Sequence, residues 1–102
     1  MFMVLRRYYA TRPGAAAEML TRVRELFVPV VSQVPGFVEY FAVDAGQGQL
    51  LFVTVCRDRA GAEASIREAA AFVKREKLTL IINGGPEIIE GEVAFHQAAR
   101  TD

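Results

Sequence analysis

Residues 37–56 read FVEYFAVDAGQGQLLFVTVC. Two runs rich in aromatic and β-branched residues, Phe37–Val43 and Leu50–Cys56, flank Asp44-Ala45-Gly46-Gln47-Gly48, a short glycine-containing loop that suits a hairpin. Successive strand side chains point to opposite faces. Phe37, Phe41 and Val43 therefore share one face of the first run, and Val38, Tyr40 and Ala42 the other. In the second run Leu50 and Phe52 oppose Leu51, Val53 and Val55. An antiparallel sheet with one face in water alternates apolar and polar residues. Here both faces are apolar, so the hairpin belongs to a layer covered on both sides.

Upstream, Phe2–Tyr9 has the composition of a strand and is closed by Thr11-Arg12-Pro13-Gly14. From Ala15 the apolar period changes. Met19, Leu20, Val23, Phe27, Val30, Val31 and Val34 recur at three and four, while Glu18, Arg22, Arg24 and Glu25 take the opposite side. That pattern predicts an amphipathic helix. Pro29 lies inside it and offers no N–H to the carbonyl of Glu25, which predicts a kink or a break into a second short piece. Pro35-Gly36 ends the helix.

Downstream, Asp58 is placed to cap a second helix over Ala60–Glu76. Its stripe is Ala62, Ile66, Ala69, Ala70 and Val73, with Arg67, Glu68, Lys74 and Arg75 facing water. So many alanines imply that the helix sits very close to the sheet or leaves space beside it. Leu78–Ile82 fits either a strand-like piece or a helical tail. Asn83-Gly84-Gly85-Pro86 breaks the chain, Glu87–His96 reads as a last strand, and Gln97–Asp102 as a loose tail.

Strand, helix, two strands, helix, strand is the order of the split βαβ, or ferredoxin-like, α+β plait. Right-handed crossovers put both helices on one face of a four-stranded antiparallel sheet. The other face would expose on the order of ten apolar side chains, more than the roughly 300–600 Å² patch a soluble monomer tolerates. The simplest cover is an identical chain, so a homodimer through the sheet face is expected. Phe41 and Phe52 are candidates for that bare face, although parity alone does not say which face meets the helices.

At 102 residues the chain makes a single domain, with an ordered core expected from about Phe2 to His96. Twelve lysines and arginines balance twelve aspartates and glutamates, so no basic surplus points to nucleic acid. Arg6-Arg7, adjacent on a strand, point to opposite faces and make a poor phosphate track. No run approaches the roughly twenty apolar residues of a membrane span, and Met1–Leu5 is too short for a signal-peptide core. A single cysteine, Cys56, forms no internal disulfide and fits a reducing, cytoplasmic setting.

The element order, the Pro35-Gly36-Phe37 lead-in to the second strand, and the step through Arg57-Asp58 into an alanine-rich helix resemble the dimeric α+β barrel superfamily. Within it the chain resembles the antibiotic biosynthesis monooxygenase domain, over Phe2 to about His96. That branch includes cofactor-independent oxygenases of aromatic polyketides and quinols, haem-degrading enzymes and many proteins of unknown role. Active members often carry a glutamate and a tryptophan at the end of the third strand and a histidine on the next helix. Matching through Asp58 puts Thr54, Cys56 and Ser65 at about those places, as pocket positions implied by the resemblance. The chain contains no tryptophan, which argues against a haem-degrading site of the tryptophan–histidine kind.

His96 is the sole histidine and hence the one side chain that titrates near neutrality unperturbed. It reads as a general base or haem ligand, or as a near-terminal polar residue. Cys56 reads as a reactive thiol or as a small buried apolar residue. Tyr8, Tyr9 and Tyr40 could hydrogen-bond a quinone or phenol oxygen, or be interface aromatics. Asn83-Gly84-Gly85 lacks phosphate-loop spacing and reads as a turn. Glu90 and Glu92 share a strand face, but no further ligand completes a metal set.

Two functions follow. One is a cofactor-independent monooxygenase acting on a small quinol- or phenol-like aromatic, with His96 as base, Tyr40 as orienting donor and no cofactor or metal. The alternative is a non-catalytic dimer that binds a small hydrophobic ligand. Filling of the helix–sheet gap by Phe72, Phe27 and Met19 would remove even that binding.

Overall fold

The computed structural model describes residues 1–100. Its elements are β1 (Phe2–Tyr9), α1 (Ala15–Arg22), a π-helical turn (Val23–Phe27), α2 (Val28–Val31), β2 (Phe37–Gly46), β3 (Gln49–Cys56), α3 (Arg59–Arg75), a 3₁₀ turn (Leu78–Leu80) and β4 (Glu87–Glu92). The strands form one antiparallel sheet in the order β2-β3-β1-β4. This is the ferredoxin-like plait, with the helices packed on one face. No described helix is long and apolar enough to cross a membrane.

Several boundaries differ from the sequence reading, each for a local reason. Strand pairing continues through Asp44 and closes at Gly46↔Gln49, so the hairpin loop is only two residues. Gln47 and Gly48 both have positive φ (55° and 80°), the backbone of a tight turn whose twist matches the flanking strands. In the first helical region the disturbance spreads upstream of Pro29. Because Pro29 cannot donate, the ladder slips by one residue, and the Val28 N–H bonds to the carbonyl of Val23. Leu78–Ile82 is both things at once: a 3₁₀ turn, then a single bridge from Ile82 to Ala10.

β4 stops at Glu92 rather than running to His96. Its partner β1 begins at Phe2, which lies opposite Glu92, so no neighbour remains to pair with residues further on. One last backbone bond, from the Val93 N–H to the Met1 carbonyl, marks the end. Of the tail expected over Gln97–Asp102, residues 97–100 are irregular and the rest lie outside the described residues.

Asp58 caps α3 as expected, its Oδ1 accepting from the Gly61 N–H at 3.0 Å. The core lies between helices and sheet, around Phe27, Phe52, Phe72, Met19, Leu50 and Leu78. Phe52 is thus on the helix side and not on the bare face, while Phe41 is 48 % exposed on the bare face. Phe37 also changes side. A bulge between Phe37 and Glu39 adds a residue, reverses the parity of the strand, and turns Phe37 toward the core beside Tyr40. On the bare face one apolar row crosses all four strands, from Phe41 through Val53 and Leu5 to Ile89.

Candidate active site

Alternation along β1 sends Phe2, Val4, Arg6 and Tyr8 toward the helices. Three of the four are ordinary core residues. Arg6 is not, although as a residue it is only 3 % exposed. It lies 5.6 Å from the centre of the Phe27 ring, and its Nη2 approaches the Tyr40 hydroxyl at 3.5 Å, long for a hydrogen bond. Nε and Nη1 have no hydrogen-bond partner among the described residues. Arg7, one residue on, instead pairs with Glu87 at 3.1 Å near the surface.

Arg6 and Tyr8 form the floor of a cavity of about 390 Å³ between α3 and the β1–β4 side of the sheet. Ile66, Ala69, Ala70 and Val73 of α3 form its roof, Pro86 and Ile88 its far wall, and Lys74, Lys77 and Thr79 one end. The volume lies within the roughly 300–1,000 Å³ range of small-molecule sites. The alanines create it: at Ala69 and Ala70 the helix presents no side chain long enough to reach β4. Phe72, Phe27 and Met19 fill the space on the other side, leaving an inner hollow of only about 10 Å³ around Arg6, Tyr40 and Phe52. The gap between helices and sheet is therefore closed toward β2 and open toward β4.

The tyrosines beside Arg6 are held in their neutral form. Burial pushes the Tyr40 hydroxyl up to about 12, outweighing the nearby Arg6 charge, and burial likewise raises Tyr8. The stability consequence has a definite sign. Between pH 10 and about 12 the unfolded chain loses this proton while the folded chain keeps it, so stability is intact below pH 10 and falls as pH rises through 12. The expected loss is up to about 3 kcal/mol. Denaturant titrations at pH 9 and 11 (about one unit either side of the free phenol value) should show about half of it, and Tyr40→Phe should remove the Tyr40 share, leaving only that of Tyr8.

The residues suggested by the sequence are not brought together. Tyr40 reaches the inner hollow. Thr54, Cys56 and Ser65 are fully buried, level with Phe2, Val4 and Ala62 under the first half of α3, and line neither hollow. The Ser65 hydroxyl donates to the Ala62 carbonyl at 2.7 Å, and Thr54 Oγ1 has no partner among the described residues. Burial first, and the Asp58 charge second, raise the Cys56 thiol, opposing thiolate formation. His96 lies exposed, four residues past the end of β4, away from the cavity of its own chain. Tyr9 points to the bare face, and Glu90 and Glu92 are exposed. Among the described residues no three histidine, cysteine, aspartate or glutamate side chains gather into a possible metal set.

The residue that sequence reasoning passed over is Arg6. The signal was present: it is the lone charge at the parity of Phe2, Val4 and Tyr8.

Residues 1–72 match the family model described as antibiotic biosynthesis monooxygenase. The chain belongs to this family. The matched span runs from β1 into the last turns of α3 and so includes Arg6, Tyr8, Tyr40 and Ala69. Among solved structures, a protein of unknown function from Nitrosomonas europaea aligns with a TM-score of 0.77 at 20 % identity, covering 98 % of this chain and 95 % of the other. A Streptomyces coelicolor monooxygenase, solved in complex with the ligand nanaomycin D, aligns with a TM-score of 0.76 at 12 % identity, covering 97 % and 92 %. SnoaB, a cofactor-independent oxygenase from Streptomyces nogalater, aligns with a TM-score of 0.67 at 11 % identity, covering 93 % and 94 %. At such identities these likenesses establish the family's fold in this chain. No curated protein is similar enough to be matched to it.

Proposed function

We propose that this chain is a cofactor-independent oxygenase of a small, flat, phenol- or quinol-like aromatic, and that it works as a homodimer paired through the bare sheet face. The observation that carries the reading is the cavity under α3, walled by apolar side chains and floored by Arg6 and Tyr8, in a member of a monooxygenase family. An electron-rich phenolate reduces dioxygen directly. Oxygen joins the ring carbon, the O–O bond breaks, one oxygen atom stays as the new carbonyl and the other leaves as water. The two electrons this requires come from the ring C–H bond, so a phenol and dioxygen give a quinone and water. The protein's part is to hold the ring, keep water out and place hydrogen bonds at the phenolic oxygen. Tyr8, on the cavity floor, is suited to orientation because it stays protonated, whereas Tyr40 lines the inner hollow and bears on the cavity only through Arg6. His96, outside this chain's cavity, is given no acid–base role.

A second copy over the bare face is supported by the exposed apolar side chains there, among them Met3, Phe41, Val43 and Ile89 at 39–59 %. The test of activity is oxygen uptake by pure protein with a panel of quinols and anthrone-type phenols. Uptake above buffer is expected, and Ala70→Phe, which fills the cavity from an exposed helix position, should lower it at least about tenfold with folding unchanged. Rates equal to buffer across the panel would overturn the reading. Enclosure of Thr54, Cys56 and Ser65 favours a second reading, a binding module without turnover. It predicts thermal stabilisation by aromatic ligands, about 2.7 kcal/mol at a hundredfold excess over the dissociation constant, with no oxygen consumed.

A further inference from the structure

We infer that Arg6 makes the cavity under α3 a site for an aromatic compound bearing an ionised oxygen, with the ring against Ala69, Val73 and Ile88 and the anion against the Arg6 guanidinium. The inference rests on the cavity assigned above but not on turnover.

Three observations carry it. First, Arg6 is a permanent cation held out of water, and two of its nitrogens have no hydrogen-bond partner among the described residues. Buried guanidinium groups are ordinarily paired with a carboxylate. Arg6 has no such ion pair among the described residues, and its neighbours are the Phe27 ring and the Tyr40 hydroxyl. Second, the tyrosines cannot stand in for the missing anion, because burial holds both in the neutral form. Third, the residues lining the cavity include three cations, Arg6, Lys74 and Lys77, and no acid. An apolar wall with a buried cation at the floor and lysines at one end favours a ring with a negative charge over a neutral one. Folding alone does not account for Arg6: methionine would fill similar space at that strand position without the uncompensated charge.

The charged oxygen could belong to a carboxylate or to a phenolate, and anaerobic equilibrium binding separates the two. The probes are 2-naphthoate, 2-naphthol and the neutral 2-acetylnaphthalene. The wild-type protein should bind 2-naphthoate at least about tenfold more tightly than 2-acetylnaphthalene. If a phenolate also serves, affinity for 2-naphthol should rise with pH as the phenol ionises. Arg6→Met should weaken 2-naphthoate binding about a hundredfold while leaving 2-acetylnaphthalene bound as well as before. Its thermal midpoint should be no lower than wild type, which separates loss of binding from loss of fold. Should that variant fail to fold, the wild-type comparison of charged and neutral probes decides by itself. Equal affinity of wild type for the two, or undiminished naphthoate binding by Arg6→Met, would overturn the inference. Because no oxygen is present, failure of the oxygenase reading leaves this result untouched, and the reverse also holds.

Discussion

Val53→Lys is expected to give a folded single chain, and Phe52→Lys, one residue earlier on the same strand, no folded chain at all. Val53 lies mid-row on the bare face, between Phe41 and Leu5. In a lone chain a lysine there can extend its stem over the sheet and keep its ammonium in water. In the proposed paired sheets it would put a charge into an apolar layer, and its counterpart from the second copy would add like-charge repulsion. A penalty of about 3 kcal/mol, modest for such a contact, already raises the dissociation constant more than a hundredfold.

Phe52 is 1 % exposed, packed against the rings of Tyr8 and Tyr40 at 5.7 and 6.3 Å, and directly across from Arg6. Removing its ring costs about 3–5 kcal/mol. A second unpaired cation facing Arg6 adds several more. Together these match the roughly 5–15 kcal/mol of stability available to a domain of this size. Sedimentation velocity and circular dichroism read both outcomes. A wild-type protein that sediments as a single chain at micromolar concentration would remove the dimer, and a folded Phe52→Lys would reverse the assignment of faces.

Gly61→Ala is expected to lower stability by about 2 kcal/mol, although alanine is the better helix former. Gly61 lies in the first turn of α3, and a Cβ there would sit 2.8 Å from the Pro35 carbonyl oxygen and 3.1 Å from the Cys56 Cβ. The first obstacle is backbone, so the helix itself must move. Overpacking of this kind costs about 1–3 kcal/mol or more, against a gain of about 1 from helix propensity. For a chain this short the midpoint should fall by roughly 10 °C. Ala60→Gly, at an exposed neighbouring position, controls for propensity and should lose only about 1 kcal/mol. A stabilised Gly61→Ala would show that α3 has room to lift from the sheet, which would also enlarge the cavity.

The elements themselves were legible because each rests on local chemistry. The hairpin shows in two β-rich runs around Gly46 and Gly48, the cap in Asp58, and the interrupted helix in Pro29. What escaped local reading were effects of pairing. The length of β4 is set by where β1 begins, and the face of Phe37 by a bulge that spacing does not announce. The candidate site was less legible still. The alanines of α3 raised the question of a gap, but whether it stood open depended on where Phe72 and Phe27 pointed. Tyr40 is legible as a strand tyrosine but not as the neighbour of Arg6, and adjacency to Arg7 hides that Arg6 alone has the parity of Phe2, Val4 and Tyr8.

Taken alone, the sequence determined the order of the elements and an excess of apolar side chains on both faces of the sheet, since period, proline, glycine and capping residues act within a few positions of themselves. Only the tertiary structure decided which face the helices cover, where the cavity opens, and that Arg6 is buried with no acid beside it among the described residues. An unpaired charge is a property of everything around it: the missing carboxylate had to be sought on β2, β3, β4 and α3 together, and no spacing along one strand contains that information.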